Sequence, residues 1–224
     1  MPNEIEAFAW REKLEGNRDE VDDLVEVARA RGDLAEAFRL YDGLMKFADA
    51  PVARTRQAAI DGTLSIMAGT DAFLFRRIEP LLRCMGSDVT HCGPVGAGQA
   101  VKLLNNMVLA INVVALAEAL AVAKASGVVD PKLLFDTLAK GSGDSFALRN
   151  HGMKALLPEA HPEQAFPVTY MLKDVEYALA LARGAGLELL GAGTARRLLE
   201  ETAALGLGAK YHTALIEAVR KHRA

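Results

Sequence analysis

The sequence predicts a mostly α-helical protein, with an acidic helical N-terminus, a small α/β piece and a C-terminal all-α part. Three observations predict it. Charge is unevenly spread, since residues 1–48 carry 7 basic and 12 acidic side chains and the remainder 19 and 17. Strand-like alternation of apolar and polar residues is confined to the stretch between Lys46 and Cys92. Beyond Gly96 the apolar spacing is helical throughout and glycines punctuate it.

Composition narrows the function classes. Of 224 residues, 51% are hydrophobic and 25% charged, the balance of a soluble globular protein. A net charge of −3 leaves no basic surplus for a nucleic-acid partner. Cys84 and Cys92 cannot build a disulfide framework, and no basic segment followed by an apolar stretch opens the chain, so a cytoplasmic location is expected. The apolar run from Val101 to Ala123 is broken by Lys102, Asn105, Asn106, Asn112 and Glu118, which argues against a membrane span.

In chain order, residues 1–48 read as three helices over 4–15, 18–31 and 33–46. Gly16, Asn17 and Gly32 separate them, and Asp33 can cap the third. This segment suits packing or an acidic surface. Residues 49–95 read as strand, strand, helix, strand. The first strand, 46–52, is ended by Pro51, and the second alternates between Gly62 and Gly69. Asp71 caps a helix through Met85 that Gly86 ends, and the third strand, 88–92, closes at Gly93 and Pro94. A piece this small reads as one edge of a larger sheet. Residues 96–224 then form six helices, over 97–126, 131–139, 146–157, 169–185, 192–204 and 213–222.

The first of these six helices holds the chemical clue. It is apolar nearly all round, so its polar residues are informative. With Lys102 at zero, Asn105 lies at about 300°, Asn106 at about 40° and Asn112 at about 280° around the axis. The four share an arc of about 120°. Such a stripe implies a polar cavity or partner, because burying it unpaired costs several kcal/mol. The same pattern is met by a lysine that snorkels and amides that bridge helices. Lys102 also sits in the first turns, where the helix dipole disfavours an ammonium, as suits a lysine that exchanges a proton near neutral pH. The turn Gly93-Pro94-Val95-Gly96-Ala97-Gly98 lacks the GxGxxG spacing of a dinucleotide fingerprint. It suits a tight turn that lets the helix start close to another backbone. His91 and Cys92 point to opposite faces of a strand, and His151, His161, His212 and His222 lack ligand spacing, so no metal is expected.

Four motifs in order carry a family resemblance: Asp49-Ala50-Pro51-Val52, Gly62-Thr63-Leu64, Gly96-Ala97-Gly98-Gln99-Ala100-Val101-Lys102-Leu103-Leu104-Asn105-Asn106, and Met171-Leu172-Lys173-Asp174. From about Phe47 to Ile216 the chain resembles the β-hydroxyacid dehydrogenases, which include 3-hydroxyisobutyrate dehydrogenase and tartronate semialdehyde reductase. The resemblance implies an oxidoreductase that uses NAD or NADP on a short 3-hydroxy acid or its semialdehyde. It assigns Lys102 as general acid/base, Asn106 to the substrate and Lys173 to the cofactor, with Asp174 supporting structure. Its helical part is akin to the C-terminal domain of 6-phosphogluconate dehydrogenase. Separately, Val101–Ala123 has more apolar circumference than one small helical domain easily covers, so a homodimer through this long helix is expected. Residues 49–95 then correspond to the remnant of a Rossmann sheet edge, and residues 96–224 to the substrate and dimerisation domain.

Two departures shape the expectation. The family's Ser-Gly-Gly loop is replaced by Ala53-Arg54-Thr55. An arginine there offers a guanidinium fork to a multi-oxygen anion, and resembles the sulfolactaldehyde reductase branch, whose substrate carries a sulfonate. Ahead of Asp49, no fingerprint for the pyrophosphate is legible, so weak dinucleotide binding by this chain alone is expected. The competing expectation is a truncated, catalytically inactive helical dimerisation protein.

Overall fold

The computed structural model describes residues 47–54, 56–163 and 165–222. The three helices expected before Phe47, and Thr55 of the expected substrate loop, lie outside these residues.

The chain enters the described part through a single bridge. Asp49 N donates to Gly69 O at 3.0 Å and Gly69 N donates to Asp49 O at 2.8 Å. Then follow β1 (Val52–Ala53), α1 (Arg56–Ile60), β2 (Leu64–Gly69), α2 (Ala72–Leu82) and β3 (Gly86–Gly93). The sheet has the order β1-β2-β3. β1 runs antiparallel to β2, with Val52 opposite Ile66, and β3 runs parallel to β2 through the α2 crossover. The first strand is shorter than its apolar run suggests, because Pro51 has no N–H to give and pairing is reduced to its carbonyl, which accepts from Met67 N. Asp71 caps α2 by accepting from Phe73 N and Leu74 N. Gly86 does not end that helix: it opens β3, where any Cβ would press on the Leu64 carbonyl of β2. Ile66, Ala68 and Leu82 form the small core beneath the sheet.

Beyond Gly96 the elements are helical. α3 (Ala97–Ser126) is followed by α4 (Pro131–Leu138), a π-helical segment (Leu148–Leu156), α5 (Val168–Gly184) and α6 (Leu190–Thr202). A kinked turn with Gly206 in the left-handed region leads to a 3-10 turn (His212–Leu215) and α7 (Ile216–Val219). α3 is long and apolar enough to cross a membrane by composition alone. Here its Ala110, Val113, Ala117 and Leu120 are buried against Phe135, Leu148, Met171, Leu199 and Ile216, so it is the central core helix. The segment expected as an α-helix over 146–157 is π-helical instead. Its extra residue per turn accommodates the close approach of Gly152 to the Phe135 ring.

Sheet and helices are joined at one buried carboxylate. Asp49 accepts from Gly96 N at 2.6 Å and Gln99 N at 2.7 Å, capping α3 from the neighbouring strand. Contact is this close because two positions lack side chains. A Cβ on Gly98 would collide with the Met67 carbonyl oxygen, and one on Gly69 with the Asp49 carboxylate. The tight turn expected from the sequence is therefore present. Asp49→Ala removes both acceptors and leaves two amides unpaired, and is expected to lower stability by about 1–3 kcal/mol in urea unfolding at pH 7.

Candidate active site

α3 presents its polar stripe to a cleft of about 730 Å³. Lys102, Asn105, Asn106 and Asn112 line one wall, as their shared arc predicts. Ala53, Arg54 and Gln57 bring the sheet edge to its mouth, and Phe146, Ala147, His151, Phe166 and Tyr211 close the far side. Of the residues expected at the site, Lys102, Asn106, Ala53 and Arg54 thus meet in one place.

Lys102 is half-buried and makes no hydrogen bond or ion pair with the described residues. Burial holds its ammonium below the ordinary lysine range, Asp174 works against that shift, and Lys173 adds to it. The expected direction holds, but the leading cause is desolvation rather than the helix terminus, whose positive end the Asp49 carboxylate already faces. Asn106 is 3% exposed and both lines the cleft and bridges helices. Its Nδ2 donates to Asp174 Oδ2 at 2.6 Å, while its Oδ1 accepts from Asn105 Nδ2 at 3.1 Å. Asp174 Oδ1 lies 3.4 Å from Lys173 Nζ.

Lys173 itself is exposed and lies outside the cleft wall. Its ammonium sits 5.7 Å from the Tyr170 ring centroid and 5.6 Å from that of Tyr177. That cationic, aromatic patch suits a nucleotide phosphate, and it connects to Asn106 through Asp174. The helix N-termini that follow β2 and β3 are closed by the carboxylates of Asp71 and Asp49, so neither is open to a pyrophosphate.

Arg54 stands at φ 84°. Its guanidinium turns along the sheet edge, where it donates to Thr63 O at 2.7 Å and Ser87 Oγ at 3.2 Å and pairs with the Asp88 carboxylate. An anion at the cleft mouth must compete with Asp88 for it.

Two cleft residues were not legible as such in the sequence. His151 lacks ligand spacing, and Tyr211 stands out only as part of a family-like closing segment. The structure joins them by a hydrogen bond between His151 Nδ1 and the Tyr211 hydroxyl. Burial pushes His151 down to about 4 and Tyr211 up to about 12. The π-helical segment that turns His151 to the cleft has no signature in the apolar pattern.

The fold is that of the 3-hydroxyisobutyrate dehydrogenases. The family model described as the NAD-binding domain of NADP-dependent 3-hydroxyisobutyrate dehydrogenase matches residues 96–219, and that of the NAD-binding domain of 6-phosphogluconate dehydrogenase matches residues 33–93. The chain belongs to the β-hydroxyacid dehydrogenase family, and its cofactor class is NAD or NADP. The second match begins upstream of Asp49, within the segment read from the sequence as acidic helices. The chain is 34% identical over 173 residues to the 2-hydroxy-3-oxopropionate reductase of Escherichia coli, an alignment covering 77% of this chain and 58% of that one. It is 34% identical over 180 residues to the human mitochondrial 3-hydroxyisobutyrate dehydrogenase, covering 78% and 53%. The chain therefore spans little more than half the length of these relatives. Among solved structures, the Mycobacterium tuberculosis 3-hydroxyisobutyrate dehydrogenase with L-serine superposes with a TM-score of 0.72 at 29% identity, over 84% of this chain and 66% of that one. The backbone of Arg54 is unusual for its residue type. Its left-handed conformation is one that glycine adopts freely and that a residue with a Cβ seldom does.

Buried neutral histidines make stability depend on pH. His212 is fully buried, pushed down to about 3, and has no partner for either ring nitrogen among the described residues. The unfolded chain takes up protons on His151 and His212 below about pH 6.5, whereas the folded chain resists until about 4 and 3. Stability is therefore expected to fall as pH drops through this window, by up to about 1.4 kcal/mol per pH unit for each histidine. Urea midpoints measured from pH 7 to 5 check this, and His212→Leu should remove one histidine's share of the slope.

Proposed function

We propose that the chain supplies the substrate side of an NAD(P)-dependent dehydrogenase, which oxidises the hydroxyl of a short 3-hydroxy acid or reduces the corresponding semialdehyde. One observation carries this: a lysine with depressed basicity and no hydrogen-bond or ion-pair partner among the described residues lines a cleft beside the buried amide of Asn106. NAD or NADP, when bound, takes the hydride. Lys102 takes the hydroxyl proton during oxidation and returns it during reduction, a role that needs the amine to exchange its proton near neutral pH. Asn106, its donor half held by Asp174, orients the substrate oxygen, and Lys173 serves the cofactor from the exposed patch. Ala53 and Arg54 meet the acid group at the cleft mouth. The L-serine reported with the M. tuberculosis relative, itself a 3-hydroxy acid, supports this substrate class. Exposed Val101 and Leu104 on α3, which lie outside the cleft lining, support a homodimer.

Turnover of 3-hydroxy acids by the purified chain, followed at the absorbance of the reduced cofactor, is the direct test. Lys102→Met should lower turnover about 100- to 10,000-fold while leaving the thermal melt intact, since it keeps the aliphatic stem. Undiminished turnover would remove Lys102 from the mechanism. Absence of turnover in the unmutated chain with either cofactor would instead favour the inactive helical alternative.

Arg54 gives a second, independent handle. Whether the acid group is a carboxylate or a sulfonate, Arg54→Ala should weaken its binding. Asp88→Ala should strengthen it by freeing the guanidinium. Calorimetric titration with 3-hydroxypropionate and its sulfonate analogue reads both effects, and equal affinities in all three proteins would exclude Arg54 from anion binding.

A further inference from the structure

The proposed reaction uses the α3 wall and the mouth of the cleft, and leaves the far wall without a task. That wall is built around Tyr211 and His151. Tyr211 is fixed through its backbone: its N–H donates to Pro162 O at 2.9 Å, and it forms an antiparallel bridge with Pro167. His151 is 9% exposed and wedged between rings, with Phe146 at 5.8 Å and His212 at 5.0 Å between centroids. The phenol is therefore held in one place by a ring that cannot turn. A phenolic hydroxyl offers one proton and accepts through its oxygen, and His151 Nδ1 takes up a single bond. No other described residue engages the remaining capacity, and Tyr211 lines the cleft together with Phe146 and Phe166. Both groups stay uncharged around neutral pH, because burial holds the imidazole low and the phenol high.

A neutral, pre-oriented hydroxyl makes a hydrogen bond with a polar group of the ligand. Facing a methyl group, it would lose water and gain nothing in return. The identity of the recognised group follows from counting carbons, and rests on the reading above. In a three-carbon 3-hydroxy acid, C1 is the acid at the mouth and C3 bears the oxygen at Lys102. What remains to reach a third wall is the substituent on C2. We propose that Tyr211, positioned by His151, is the specificity determinant for C2 and hydrogen-bonds a hydroxyl there, so that the cleft selects 2,3-dihydroxy acids over their 2-methyl counterparts.

Calorimetry on the full chain with 2,3-dihydroxypropionate and 3-hydroxy-2-methylpropionate tests this without requiring turnover. The unmutated chain should bind the dihydroxy acid at least about tenfold tighter. Tyr211→Phe should bring that ratio close to one. His151→Leu should reduce it too, while His151→Gln, whose amide can still hold the phenol, should restore much of it. A merely structural role for His151 would shift both affinities together and leave the ratio unchanged. Equal affinities in the unmutated chain overturn the proposal even if a variant fails to fold, as does an unchanged ratio in a Tyr211→Phe protein with an unaltered melt. Failure to bind either acid removes the proposal together with the substrate assignment of the cleft. A clear binding preference without turnover would sink the dehydrogenase reading alone, and turnover without preference would sink this inference alone.

Discussion

The carboxylate of Asp49 is the point on which the site depends. It closes the N-terminus of the 30-residue helix α3 while its own backbone pairs with Gly69 at the end of β2. One residue thereby sets the angle and depth at which the core helix meets the sheet. Lys102 stands less than two turns from that cap, and Arg54 follows a few residues after Asp49 on the adjoining strand. Their meeting across one cleft is a consequence of the cap. The same carboxylate decides an electrostatic question, since with it in place the helix terminus is spent on a structural partner. Lys102 owes its lowered basicity first to burial.

α3 has two roles that pull against each other. As the central helix it must be apolar, and Val113, Ala117 and Leu120 are fully buried. As a cleft wall it must carry amides and a cation. The conflict is resolved by keeping polar residues on one arc and partnering the most buried of them: Asn106 is satisfied by Asp174 from α5, which also meets Lys173. A buried amide with a charged partner is costly to disturb, so this link ties the cleft to the exposed patch where the cofactor is proposed to bind.

At the mouth, Arg54 combines an unusual backbone with a side chain that is already engaged. Arg54 holds a left-handed conformation that costs of order 1 kcal/mol for a residue with a Cβ. Its guanidinium is engaged by Asp88, Thr63 and Ser87. The exposed ion pair contributes little to stability by itself. Its effect is to give the anion at the mouth a competitor already within the chain.

By itself the sequence determined what depends on local order along the chain. Helical periodicity and glycine stops placed α3 from Ala97 to Ser126 and located α4, α5 and α6 to within two residues at most ends, and Asp71 and the Gly96–Gly98 turn announced their caps. The amide-and-lysine arc named one wall of the cleft because angular position on a helix follows from spacing alone. The tertiary structure decided whatever depends on partners distant in the chain. Asp49 could not be seen as the cap of a helix that begins 48 residues later, nor Asp174 as the partner of Asn106. His151 and Tyr211 lie 60 residues apart, and a π-helical segment turns one of them inward. Hydropathy periodicity records which face a residue occupies. It does not record which other face will be folded against it, and desolvation, pairing and the shape of a cleft all arise from that second fact.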